Sequence, residues 1–228
     1  MTRILVAAII ALCALAPSVG SADHIPGNVS QREKFGYASA GWRFDEPDGS
    51  FRIVTVKAAD RTIIAKHGLR HRYLTACVRV RSLVMAESGD PADSVFREVF
   101  GCGPLKRSQF HVVRSLGWGR VKTTVATEEC VSIGDPRITT CGAGPTLEAQ
   151  VEWEANDPLE AGPWVGGNDV CHVRGRNSLR HHLVRGFVRS GGIDYTSGRD
   201  GTGFMFEHFT RVRVVPEGSE DCMGSDEP

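Results

Sequence analysis

An all-β fold is predicted for this chain: an antiparallel β-sandwich held by disulfides, with at most one or two short helices. Three observations predict it. Apolar residues recur with period two in runs from Tyr37 onward, the spacing of half-buried strands. Gly/Pro clusters separate these runs, at Gly101-Cys102-Gly103-Pro104, Gly142-Ala143-Gly144-Pro145, Gly162-Pro163, Gly166-Gly167 and Gly191-Gly192, as turns do in sandwiches and barrels. Six cysteines follow a leader of export type, and an even count in an exported chain reads as a disulfide framework.

The leader comes first. Arg3 precedes an apolar run from Ile4 to Ala16, then Pro17 and small residues through Gly20-Ser21-Ala22. That is a charged n-region, a short h-region and a small-residue cleavage site. The run is too short for a permanent membrane anchor. Residues 1–22 are expected to be a signal peptide cleaved after Ala22, with Ser21 the alternative. The expected location is secreted, outside the cell. Residues 23–34 form a polar lead-in with a sequon at Asn28-Val29-Ser30. A sandwich domain is expected over 35–216, and 217–228 is an acidic tail.

Strands follow in order. Phe51–Lys57 is β-branched but alternates poorly, which suggests cover on both faces. In Cys77–Val84, Val78, Val80 and Val84 form the inward set, while Arg79 and Arg81 point out. Cys77 shares the outward parity, so its partner is expected from a loop, a terminus or an edge. Asp90, Pro91 and Asp93 suit a helix start, and Val95, Phe96, Val99 and Phe100 recur at helical spacing before Gly101. A strand over Val95–Phe100 competes with that helix. Val121, Thr123 and Val125 alternate with polar residues. The cleanest strand is Leu147–Glu154, with Leu147, Ala149, Val151 and Trp153 on one face and acids and Gln150 on the other. A second helical turn is a candidate at Leu179–Val184. Phe204, Phe206, Val212 and Val214 are predicted to face inward on the last strand, and His208 shares their parity. His111–Leu116 echoes His182–Phe187, which leaves one domain or two related halves open.

Cysteine counting sets aside Cys13 inside the h-region. Cys77, Cys102, Cys130, Cys141, Cys171 and Cys222 remain, for up to three bridges. One pairing has local support: Cys130 and Cys141 flank the turn signal Gly134-Asp135-Pro136.

Charge and motifs narrow the function. The formal net charge is +0, and loss of Arg3 with the leader makes it about −1, so overall charge selects no partner. Nucleic acid is not an expected partner. The distribution is uneven. The stretches 61–81 and 171–189 hold basic residues and histidines without an acid, whereas 217–228 holds acids without a base. There is no G-x-S-x-G elbow and no H-E-x-x-H pair, so the common hydrolase signatures are absent. Only Asp194 and Asp200 flank the 195–199 turn, with Arg199 between, too few carboxylates for a calcium loop. His172 with one of His181 or His182 is a candidate metal pair, though adjacent histidines on a strand face opposite ways. No cofactor is expected. The leading candidate site is the arginine stretch Arg174, Arg176, Arg180, Arg185 and Arg189, because clustered guanidinium groups attract phosphates and sulfates and pair with them in bidentate fashion. Trp118 and Trp164 stand in Gly/Pro turns and are candidate exposed aromatics beside it.

The layout resembles small secreted all-β proteins of unassigned function from GC-rich Gram-positive bacteria. An export signal leads into Val-Arg-Val-Arg strands, then Leu147–Glu154, a loop with Pro158, Gly162 and Pro163, an Arg-rich stretch to Arg189, and a closing strand to Val215. The likeness covers most of 73–215. It implies a sandwich and no activity. The function expected from all of this is that of a non-catalytic binding protein at or beyond the cell envelope, recognising anionic envelope polymers or an extracellular protein. A secreted hydrolase with a loop-borne active site and a His-based metal-binding protein are the alternatives.

Overall fold

The computed structural model describes residues 31–64, 70–88, 90–113, 115–134, 139–167 and 171–214, with the side chains at 31, 91, 164–167, 171–174 and 211–214 outside the description. The leader, the lead-in to residue 30, the acidic tail and Cys222 lie outside the described residues.

The described chain is all-β. Its strands are β1 (Gln31–Asp45), β2 (Phe51–Ile64), β3 (Arg70–Val84), β4 (Val95–Pro104), β5 (Phe110–Val112), β6 (Trp118–Val125), β7 (Glu128–Ile133), β8 (Thr139–Ala143), β9 (Leu147–Ala155), β10 (Glu160–Gly167), β11 (Cys171–Ser190), β12 (Ile193–Asp194) and β13 (Gly201–Val214). All pair antiparallel in one sheet, ordered β5-β6-β9-β11-β13-β1-β2-β3-β4-β7-β8, with β10 and β12 also on β11. The two-sided core expected of a sandwich is made here by curling a single sheet.

A bent hairpin produces the curl. β6 pairs β9 up to Val125↔Leu147, and β7 pairs β8 from Glu128↔Ala143. The bend between them is only Ala126-Thr127 on one side and Gly144-Pro145-Thr146 on the other. The base of this hairpin joins β11 through β9, and its tip joins β4 through β7. One covalent hairpin therefore connects both ends of the strand order and carries β6 against β3 and β4.

Alternation decides which residues line the interior. Ala38, Ala40, Trp42 and Phe44 of β1, Val54, Val56 and Ala58 of β2, and Ala76, Val78 and Val80 of β3 are buried. Leu147, Ala149, Val151 and Trp153 of β9 face them at 0 % exposure, as their alternation requires, and Val121, Thr123 and Val125 of β6 are buried too. On β2, Phe51, Ile53 and Thr55 are half-buried on the other face, so burial alternates along Ile53–Ala58 in place of the two covered faces expected.

Several expectations are corrected. Residues 95–104 are strand, not helix, because β4 pairs on both flanks with β3 and β7, and its valines and phenylalanines suit a pleated surface. The cap survives only as one 3-10 turn at Pro91–Asp93, where Ala92 N donates to Asp90 Oδ1 at 2.8 Å. Leu179–Val184 is continuous strand inside β11. Val84 keeps the inward parity of Val78 and Val80 but stands 56 % exposed at the end of β3, beyond the buried core.

On β13 the inward residue is Met205, not Phe204 or Phe206. The inward positions next to it are Gly201 and Gly203, and a Cβ at Gly203 would lie 2.2 Å from Ser39 O and 3.0 Å from Trp153 Nε1. Tryptophans from other strands fill that space, so the phenylalanines face outward. There Phe204 meets Tyr37 at 5.7 Å and Phe206 meets His208 at 6.2 Å. His208, register partner of Phe35, therefore lies on this outer face and not inward. The echo segments also differ in place: 111–116 is a short edge strand and its loop, whereas 182–187 is the middle of β11.

Two bridges are present among the described residues. Cys130–Cys141 joins directly opposed positions of β7 and β8, as the turn predicts, and Gly134 takes the left-handed conformation at φ 68°. Cys77–Cys102 joins opposed positions of β3 and β4. Cys77 does point outward, but its partner is the neighbouring strand, not a loop or terminus. Cys171 opens β11 with its side chain outside the description.

Candidate functional site

At one end of the sheet the inner face turns from apolar to charged within three cross-strand rows. The last apolar row is Met205, Ala38, Ala58 and Ala76. Beyond it come Glu207, Gly36 and Asp60, then Arg176, Phe209, Lys34, Thr62 and Arg72. Arg32, Ile64 and Arg70 follow, and Arg174 and Arg211 hold the adjoining register positions on β11 and β13. Neighbours in a row stand ~4.8 Å apart and rows ~7 Å apart, from strand geometry.

The acids of this face are already used. Lys34 Nζ lies 2.6 Å from Glu207 Oε1. Arg72 donates to both oxygens of Asp60, at 2.8 and 2.5 Å, and this bond raises the Arg72 pKa. Arg32, Arg70 and Arg176 are exposed and make no ion pair among the described residues. The connection from β4 to β6 meets this end of the sheet through Arg107, Phe110, His111, Val112, Val113 and Leu116. Phe110 and Leu116 plug the core from below, while Arg107 and His111 stay exposed. A cleft of about 290 Å³ opens between them, lined by Lys34, Asp60, Arg72, Arg107, His111 and Glu207. A cationic surplus around a concave mouth focuses its field on anions.

The floor of the mouth is clamped from β11. Arg180 Nε donates to Asp157 O at 2.8 Å and Nη1 to Ser115 O at 3.4 Å. His182 is 1 % exposed, with Nδ1 2.9 Å from Arg180 O and Nε2 2.6 Å from Leu116 O. Leu116 itself holds a left-handed φ of 52°. Both acceptors are carbonyls, and a neutral imidazole has one N–H to offer. Burial lowers the His182 pKa, the two carbonyls oppose that, and nearby Arg180 and His181 lower it further.

The consequence for stability has a definite sign. The folded protein binds the His182 proton less readily than the unfolded chain does, so His182 contributes stability above its unfolded value of about 6.5. That contribution is lost as pH falls from there through the lowered folded value. Denaturant midpoints are expected to drop over this window in the wild type and to drop less in His182→Gln. Equal slopes in the two proteins would remove His182 from the account.

The arginine stretch expected to act together is divided between two faces. Arg176 and Arg180 share the inner parity of His182, and Arg174 occupies a position of the same parity. Arg185 and Arg189 have the opposite parity. Arg185 pairs with Glu154 at 3.2 Å, and Arg189 pairs with Asp194 at 3.5 Å and stacks on Phe187 at 4.1 Å. Trp118 is half-buried at the mouth's edge, 5.7 Å from His111. Trp164 lies in β10 with its side chain outside the description.

The metal candidates are dispersed. His181 is exposed on the outer face, His182 is held by carbonyls, and the His172 side chain is outside the description. His208 Nδ1 lies 2.5 Å from Asn177 Oδ1. Among the described residues, the one close group of three ligand-type side chains is Glu128, Cys130 and Cys141, and its cysteines are bonded to each other. Asp194 is likewise occupied, accepting from Thr196 N and Oγ1 at 3.0 and 2.7 Å.

Sequence reasoning missed Arg32, Lys34, Arg70 and Arg72 as site residues. Their signal was the alternation Arg32/Lys34 and Arg70/Arg72 at the ends of neighbouring strands. No family model matches this chain, and no curated protein matches it significantly.

Proposed function

We propose that this chain is an exported, non-catalytic binding protein that holds an anionic polymer across the basic mouth of its curled sheet. The supporting observation is the pair of cross-strand rows in which, among the described residues, Arg32, Arg70 and Arg176 remain without acidic partners after Lys34 and Arg72 have taken Glu207 and Asp60. Several cations on one rigid concave face bind a polymer repeatedly, so modest contacts add. Export rests on the leader's layout together with the disulfides, which persist in oxidising compartments. Anionic envelope polymers or glycans are the ligand class this location offers.

The test uses fluorescein-labelled heparin and long-chain polyphosphate as probes, titrated with mature protein over a NaCl series. The triple variant Arg32→Ala/Arg70→Ala/Arg176→Ala is expected to bind about tenfold or more weakly, with a shallower salt dependence. Arg185→Ala/Arg189→Ala, on the opposite face, is expected to match the wild type. Equal losses in both variants, or a salt-independent wild type, would overturn the proposal.

A further inference from the structure

The opposite mouth of the sheet carries a different chemistry. There the row above the core is Phe44, Arg52, Ser82 and Arg97, on β1 through β4. A cleft of about 320 Å³ lies over it, at the small end of the range for ligand sites. Its floor is the edge of the core, Phe44, Val80 and Val99. Val84 and Ile193 form its upper walls while still 56 % and 59 % exposed. Apolar surface is thus left open to water around a concave site.

Arg52 is the cation in this cleft without a counter-charge among the described residues. Its guanidinium stacks on Phe44 at 4.5 Å, and Nη2 donates to Ser197 Oγ at 2.9 Å. Its Nε is buried with no acceptor. The other arginine with a buried, unbonded Nε is Arg79, and that atom lies 3.0 Å from Glu98 Oε1, so its charge is met. Arg97, across the cleft, is held by Glu129. Arg199 approaches Phe44 too, at 5.3 Å, and adds to the positive field. Glu46 is the carboxylate on the rim, exposed in the β1–β2 turn and unpaired with Arg52 among the described residues.

From these observations we infer that the cleft at Phe44, Arg52, Val84 and Ile193 is a second binding site, for a small amphipathic monocarboxylate. The Arg52 guanidinium draws a carboxylate by its charge and by the N–H groups that Ser197 does not take, Nε itself being buried. The valine and isoleucine walls take an aliphatic body and remove its surface from water. This site lies at the other end of the interior from the basic mouth and stands independently of the polymer.

The experiment compares hexanoate with 1-hexanol by ligand-observed NMR titration against the mature protein. The wild type is expected to bind hexanoate about tenfold more tightly than the alcohol of the same chain length. Arg52→Gln is expected to abolish that preference and leave hexanol binding unchanged. Ile193→Ser, which keeps the charge and shortens the wall, is expected to weaken both ligands. Thermal unfolding of each variant establishes that it is folded, and Ile193→Ser, at an exposed position, serves if Arg52→Gln is not. A wild type that binds the two ligands equally, or neither, would overturn the inference, as would Ile193→Ser binding both like the wild type.

Discussion

Trp153→Ala is expected to lower the unfolding free energy by about 3–5 kcal/mol, the range for removing a buried aromatic side chain. Trp153 is 0 % exposed. Its Nε1 donates to Ser39 O at 2.8 Å, reaching from β9 to β1 past β11 and β13 in the strand order. Gly203 makes that reach possible, because a Cβ there would lie 2.2 Å from the acceptor Ser39 O and 3.0 Å from the indole nitrogen. Truncation therefore opens a cavity in the middle of the curl and takes a donor from a carbonyl inside it. Trp153→Phe separates the two effects. It keeps most of the volume and loses the hydrogen bond, so a smaller cost of about 1–3 kcal/mol is expected. Urea unfolding of both variants checks this. Similar midpoints for Trp153→Ala and wild type would mean that the interior is not closed around this residue.

Loss of the Cys77–Cys102 bridge is expected to cost about 3.5 kcal/mol, the chain-entropy value for a loop of this size. The cysteines are separated by 25 residues in sequence, and their Cα atoms are 4.0 Å apart on opposed positions of β3 and β4. That is the close spacing of a non-hydrogen-bonded pair, so the ladder stands without the bridge. The double variant Cys77→Ala/Cys102→Ala should keep its far-ultraviolet circular dichroism and unfold at lower denaturant. The Cys130–Cys141 bridge closes a shorter loop, separation 11, and ties down β8, every residue of which is exposed. Its loss is expected to raise amide exchange in β7 and β8 first. Unchanged midpoints in the Cys77/Cys102 variant would show that the unfolded chain gains nothing from release of that loop.

The strands legible in the sequence were those with one dry and one wet face. Leu147–Glu154 announced itself because each buried residue has a polar neighbour on either side. Val95–Phe100 was ambiguous because its apolar spacing serves a helix or a strand equally, and the hydrogen bonds of β3 and β7 decided between them. Phe204 and Phe206 misled because the largest apolar residues usually mark the core. Here Trp42 and Trp153 come from other strands to fill the interior against Gly201 and Gly203, and no local pattern on β13 carries that information.

By itself the sequence determined the all-β class, the alternation of its clearest strands and the Cys130–Cys141 bridge. Each depends on neighbours within about a dozen residues. Only the tertiary structure decided that one hairpin curls a single sheet around its core, that Cys77 meets Cys102, and that Arg32, Lys34, Arg70, Arg72 and Arg176 share a mouth while Arg185 and Arg189 face away. The physical reason is register. A strand's own pattern tells which residues share a face, but which residues of distant strands stand side by side is set by pairing between segments far apart in the chain.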